Sequence, residues 1–325
     1  MRISSVHFIL LVQLVFINSL AASQLPQPLV ETAWLAQNLE HVEILDVRLD
    51  KKSFTATPIF KKYKDTGKQQ LTRVGGHIPG AGLVLYKHVR DDQELNGITI
   101  KYMLPDKNSF EQLMQKAGMN QNSNIVIVTN AENDFDLTMA SRVYWQIKYY
   151  GHENVSILNG GTAQWLIDGR DISSNRGTSS TGDWIAKKRF KELLVDSKDI
   201  VSAIENAESQ IVDVRPFGQY LGTYKSSKVA AKGHIPTAKS YPIDLAASRG
   251  MPAKFTSLAE LKEVTTALGV NTSGNVIVYC NSGHMASGGW FVLHELLGNK
   301  QAKLYDGSMH QWTAEKRPVV KMKLE

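Results

Sequence analysis

The chain has 325 residues, 42% of them hydrophobic and 21% charged, with a formal net charge of +6. This composition excludes a disordered or fibrous protein, and the length suits two domains, each large enough for its own core. The basic residues are scattered, the densest patches being Lys61-Lys62 and Lys187-Lys188-Arg189, so a mild attraction for small anions is expected and a nucleic-acid partner is not.

Residues 1–23 read as a secretory signal peptide. Arg2 makes a short basic start, Phe8 to Ile17 is an apolar run, and Ser19-Leu20-Ala21 supplies small residues suited to cleavage. The run is too short for a membrane span, which argues against the alternative of an uncleaved anchor. The expectation is an exported protein in a periplasm, not held at a membrane after cleavage. Its one cysteine, Cys280, then stands out, because oxidising compartments favour paired cysteines. The ordinary fate of a lone cysteine is an inert place in a core.

The remainder is a repeat of itself. The first half, 24–171, carries VEILDVR (Val42–Arg48), GHIPGA (Gly76–Ala81), NIVIVTN (Asn124–Asn130) and SILNGGTAQW (Ser156–Trp165). Residues 172–189, rich in Ser, Thr and Gly, read as a linker. The second half, 190–325, repeats the landmarks in order: SQIVDVR (Ser209–Arg215), GHIPTA (Gly233–Ala238), NVIVYC (Asn275–Cys280) and KLYDGSMHQW (Lys303–Trp312). Ser257 and Glu260 form a capping-box pattern that opens a helix. Short apolar strands separated by helical patterns imply, in each half, an α/β domain whose parallel sheet has helices on both faces.

In such sheets ligands sit beyond the carboxyl ends of the strands. Cys280 ends the strand Val276–Tyr279, while its counterpart in the first half is Asn130, which cannot act as a sulfur nucleophile. One half is thus expected to be active and the other silent. After Cys280 come Asn281, Ser282, Gly283, His284, Met285 and Ala286, before a helix expected to start near Ser287. A loop of this length can curl its N–H groups inward, and the helix behind it adds positive potential. Such a nest stabilises an anion, here the cysteine sulfur, and would lower the thiol's pKa from about 8.5.

DVR, GHIPGA, a strand ending in Cys with a short loop, Met103-Leu104-Pro105 before a helix, and YDGS-x-x-x-W together resemble the rhodanese superfamily over residues 28–315. The similarity is greatest to two-domain thiosulfate and mercaptopyruvate sulfurtransferases. That resemblance implies two tandem rhodanese-like domains, an inactive first copy, no cofactor, and sulfur transfer through a Cys280 persulfide held by the amides of residues 281–286. It implies a small anionic sulfur donor and a thiol or cyanide acceptor. Two departures bear on the donor: the loop lacks a fixed cation, and Gln219 stands where the family usually places an arginine. Mercaptopyruvate-type relatives bring a first-domain His, here His77, to the loop Ser, here Ser282, so a Ser282–His77 relay with Asp65 behind it is a further expectation.

Other candidates have plainer roles. Arg215 is expected to pair locally at its strand end, with substrate contact as the alternative. Asp46 and Asp213 would hold loop backbone or an Arg, and Trp165 and Trp312 would be core. His234 reads as a turn residue; His284 could supply a pH-dependent charge or face solvent. No His/Cys/Asp cluster has metal-ligand spacing. A cysteine phosphatase is disfavoured because Ala286 stands six residues after the Cys, where that chemistry needs Arg. A non-turnover persulfide carrier or sulfur-species binding protein is the alternative function. An exposed reactive thiol in an oxidising space would also call for a reducing partner protein.

Overall fold

The computed structural model describes residues 25–65, 67–175, 180–187 and 189–322; the signal-peptide reading of residues 1–23 lies outside them. The strands are β1 (Leu29–Val30), β2 (Glu43–Arg48), β3 (Ile59–Lys62), β4 (Gln69–Arg73), β5 (Gly82–Leu85), β6 (Asp91–Leu95), β7 (Ile98–Met103), β8 (Ile125–Val128), β9 (Val155–Leu158), β10 (Leu194–Val195), β11 (Gln210–Asp213), β12 (Lys239–Ser240), β13 (Val276–Tyr279) and β14 (Ala302–Tyr305). The first domain builds a five-stranded sheet in the order β1-β9-β8-β2-β5 and the second repeats it as β10-β14-β13-β11-β12. Every pairing within these two sheets is parallel. Identical order in both halves is the structural form of the sequence repeat.

The central strands β8 and β13 are buried along their whole length, which is why IVIV and VIVY are apolar without alternation. Trp165 and Trp312 are core, and Ser257 and Glu260 make the expected capping box. In the second sheet the chain runs from β11 outward to β12 and then back across to β13. The strand order therefore reverses between β11 and β13, and the crevice opens there, where Arg215 and Cys280 leave the sheet.

The two domains share one core. The first-domain helix Asp134–Tyr149, the element after β8, packs on His284–Trp290, the equivalent element after β13. Tyr144 meets Phe291 edge to face at 4.9 Å. Gly288 permits the close approach: a Cβ there would stand 2.6 Å from Thr138 Cγ2. No residue with a side chain fits without separating the helices. A single apolar cluster consequently runs from Leu45 through Trp145 to Trp290 and Leu304.

Two features depart from the sequence reading. The described part of the 172–189 segment is a packed strap and not a free tether. Ser173 pairs with His77, the N–H of Gly182 donates to Gln115 and that of Trp184 to Met119, and the Trp184 side chain is fully buried against Phe110. One tryptophan anchors a stretch whose composition otherwise suggests mobility. The first domain also carries two antiparallel hairpins, β3–β4 and β6–β7, which have no counterpart in the second domain among the described residues. Among the described residues no helix is long and apolar enough to cross a membrane.

Candidate active site

Cys280 follows β13 directly and is 1% exposed. Its backbone is pinned from β14's side of the crevice. The Cys280 N–H donates to Ser308 Oγ at 3.0 Å, and its carbonyl accepts from the Met309 N–H at 3.0 Å. Ser308, held at φ +50°, donates its own hydroxyl to the Tyr305 carbonyl and accepts a second bond from the Gly283 N–H at 3.2 Å. Thus YDGS, read as a turn, is the clamp that shapes the cysteine loop.

The loop is shorter than expected. Gly283 lies in the left-handed region at φ +73° and the helix begins at His284, three residues before Ser287. This glycine is required twice, because a Cβ there would sit 2.1 Å from Asp306 Oδ1. The helix continues without a break into a π-helical turn, Phe291–Leu296. The Gly283 N–H is taken by Ser308 and cannot serve the sulfur. Among the described residues, no protein group accepts from the N–H groups of Asn281, Ser282, His284, Met285 or Ala286. These N–H groups are left without a protein partner at the N-terminus of the helix, where the backbone favours negative charge.

His284 is neither solvent-facing nor a source of charge. It is 5% exposed, with Nδ1 against the Tyr86 hydroxyl and Nε2 2.7 Å from Thr138 Oγ1. The Thr138 hydroxyl gives its hydrogen to the Phe135 carbonyl at 2.9 Å, so Nε2 must donate and Nδ1 must accept from Tyr86. Burial, together with the nearby cations Arg90, Arg142 and Lys228, pushes the imidazole pKa well below 6.5, and His284 is neutral. The unfolded chain takes up a proton near pH 6.5 that the folded protein refuses. This stability is therefore present above that pH and lost as pH falls through it, by up to about 1.4 kcal/mol per pH unit. Urea titrations at pH 7 and pH 5 are expected to show a larger loss for wild type than for His284→Gln. Equal losses would show that His284 takes up its proton as readily folded as unfolded.

The positive field missing from the loop arrives from elsewhere. Arg142, Arg215 and Lys228 all lie close enough to interact with charge on the Cys280 sulfur. Arg142 reaches across from the first domain to Asp306, the two being 0% and 1% exposed, and Asp306 also accepts from the Leu104 N–H at 2.6 Å. Arg215 is held by Asp213 (Nη2 to Oδ2, 2.6 Å) and the Gly233 carbonyl, the local pairing expected for DVR. Lys228 and Arg90 differ: among the described residues neither pairs with a carboxylate. Lys228 Nζ stands 4.4 Å over the Tyr102 ring, and the Arg90 guanidinium lies 4.4 Å over Tyr86 and 4.9 Å over Tyr102. Burial, then the Arg90 charge, lowers the Lys228 pKa. Tyr102 is itself held at φ +69°, an uncommon conformation for an aromatic residue, at the end of the β6–β7 hairpin.

Gln219 is buried, and its Oε1 has no partner among the described residues; the same holds for Asn281 Oδ1. Ser282 is buried in the loop, but His77 is not brought to it. The His77 ring stacks on Phe54 at 3.7 Å, its Nδ1 lies 2.9 Å from the Phe54 carbonyl, and Asp65 is exposed in the β3–β4 turn. His234 repeats this arrangement on Tyr220, so both HIP histidines act as turn anchors. The first-domain groups that do reach the loop are Tyr86, Phe135, Thr138 and Arg142. None of the four carries a sequence signal for that role.

The equivalent crevice of the first domain is filled by its own side chains. Arg48 bonds Asp46, Asn130 Oδ1, the Gly76 carbonyl and Thr162 Oγ1. Asn130, in the place of Cys280, is a ligand of that arginine.

The sequence model of the Rhodanese-like domain family matches residues 31–168 and again 196–315. The chain is 30% identical to a Saccharopolyspora erythraea protein named "Putative thiosulfate sulfurtransferase", over 88% of this chain and 92% of that one. It is 26% identical to the "Sulfur carrier protein TtuD" of Thermus thermophilus, over 88% and 94%. Among solved structures, the 3-mercaptopyruvate sulfotransferase SseA of Escherichia coli superposes with a TM-score of 0.69 at 24% identity, covering 87% of this chain and 98% of the other, a likeness of fold.

Proposed function

Since the chain belongs to the rhodanese-like family, with two copies of its domain, we propose that it is a sulfurtransferase working through a Cys280 persulfide. The observation that carries this reading is the position of Cys280 at the reversal of strand order, followed in the chain by five amides without a protein acceptor among the described residues, and close enough to interact with Arg142, Arg215 and Lys228. With thiosulfate as donor, the Cys280 thiolate attacks the outer sulfur, the sulfur–sulfur bond of the donor breaks, and sulfite departs. The persulfide anion left on Cys280 is held by the loop amides. A thiolate or cyanide then takes the outer sulfur and returns the Cys280 thiolate. Intact-mass measurement after exposure to thiosulfate or mercaptopyruvate tests the loading step: one added sulfur atom on Cys280 is expected, and no adduct with any sulfur donor would refute it.

Arg90 and Lys228 are the seat we assign to the donor's anionic group. Two cations that share one tyrosine ring, each without a carboxylate among the described residues, are stabilised by a nearby anion. They supply the charge that Gln219 does not. Replacing both with alanine is expected to raise KM for thiosulfate roughly ten- to a hundredfold, the equivalent of one lost charge-assisted hydrogen bond. It should also flatten the dependence of loading on ionic strength. An unchanged KM would move the donor's seat elsewhere.

Deep burial of Cys280 and the similarity to a sulfur carrier protein favour a second reading, in which the persulfide is delivered to a protein and small acceptors turn over poorly. Stoichiometric loading without multiple turnover would support it. Under either reading we propose export through residues 1–23 and, in an oxidising compartment, a reducing partner that keeps the thiol available. Secretion of a fusion carrying residues 1–23 tests the first.

A further inference from the structure

Beside the cysteine loop, and lined by neither Arg90 nor Lys228, lies a cavity of about 620 Å³ at the seam of the two domains. Its walls are apolar: Phe217, Leu245, Leu268 and Met285, the last being five residues after Cys280 on the helix that the loop enters. Two acidic residues, the half-buried Asp134 and the exposed Asp244, line it as well, together with Ser240. Ser240 Oγ is buried without a hydrogen-bond partner, and among the described residues neither aspartate forms an ion pair. Each aspartate alone has an ordinary role in the first turn of a helix. The presence of both, from different domains, on the lining of one apolar cavity is not required by either helix.

Volume, apolar walls and a few convergent polar groups are the properties of a small-molecule site. The charge is opposite to that of the Arg90–Lys228 side, so the small anions suited to that side are repelled here. We propose that this cavity binds the sulfur acceptor and selects a small thiol with an apolar body and a positively charged group, an aminothiol in preference to an acidic thiol. The inference rests on the sulfurtransferase reading. In the step it serves, the acceptor's thiol proton leaves to solvent and its thiolate attacks the outer sulfur of the Cys280 persulfide. The persulfide bond breaks, the Cys280 sulfur departs as thiolate, and the new sulfur–sulfur bond belongs to the acceptor's persulfide. No net oxidation or reduction occurs.

Two measurements on the full chain test this separately from the transfer chemistry. Calorimetry with 2-phenylethylamine and with 3-phenylpropanoate needs no sulfur. The amine is expected to bind saturably and the acid at least about tenfold more weakly, with the preference lost in Asp134→Asn/Asp244→Asn and kept in Cys280→Ser. With persulfide-loaded protein, the double carboxamide variant is expected to raise KM for 2-aminoethanethiol about tenfold while leaving 2-mercaptoethanol and the loading step unchanged. Intact loading also shows that the variant is folded. Equal affinity for amine and acid, or a preference that survives both carboxamides, would overturn the proposal. Amine binding in a protein that never loads sulfur would instead overturn the sulfurtransferase reading and leave the cation site standing.

Discussion

Cys280→Ser is expected to abolish sulfur loading and to lower turnover with thiosulfate and cyanide by at least about a thousandfold, while the protein stays folded. The chain has no second cysteine to substitute, and the equivalent position of the first domain holds Asn130 bound to Arg48. A serine hydroxyl is a far weaker nucleophile than a thiolate and forms no stable bond to a transferable sulfur. Unengaged loop amides would not rescue it, because they favour an anion that serine does not readily form. Serine is slightly smaller than cysteine, and its backbone keeps the bonds to Ser308 and Met309, so the fold has no reason to change. Steady-state rates with intact mass spectrometry decide the matter. A variant retaining a tenth of wild-type turnover would remove Cys280 from the mechanism.

The second large effect is on stability. Arg142→Met is expected to destabilise the protein by about 3–5 kcal/mol, because it leaves the Asp306 carboxylate buried without its counter-charge. The Leu104 N–H would remain as a bond to Asp306, but one neutral donor does not replace a guanidinium. Burial works against the Arg142 charge, yet the Asp306 carboxylate, with smaller help from the groups at Tyr86 and Cys280, leaves its pKa raised. The two buried partners are thus mutually dependent. Arg142→Met/Asp306→Leu, which removes both charges together, is expected to recover at least half of the loss. Denaturant midpoints measure this. Because Arg142 also touches the Gly283 carbonyl, the single variant should lose sulfur loading along with stability. A single variant as stable as wild type would mean that the pair neither joins the domains nor shapes the loop.

Much of this protein is written locally in its sequence. Apolar four-residue strands, the DVR and HIP turns and the capping box each depend on neighbours a few residues away, so order and spacing were enough to reveal the duplicated α/β fold and to set Cys280 at a strand end. Charge and proton state at the site are not local. Arg90, Arg142 and Lys228 come together only when two domains dock, and His284 is neutral because burial in that docked structure and these cations oppose its charge. The relay expected from His77 is not formed for the same reason: the ring stacks on Phe54, 23 residues earlier in the chain, and not on the loop of Ser282. Sequence patterns report the bonds a residue makes along its own segment. Desolvation and Coulomb interaction depend on which distant groups share its space, and that was decided by the packing of the Asp134–Tyr149 helix against the His284–Trp290 helix.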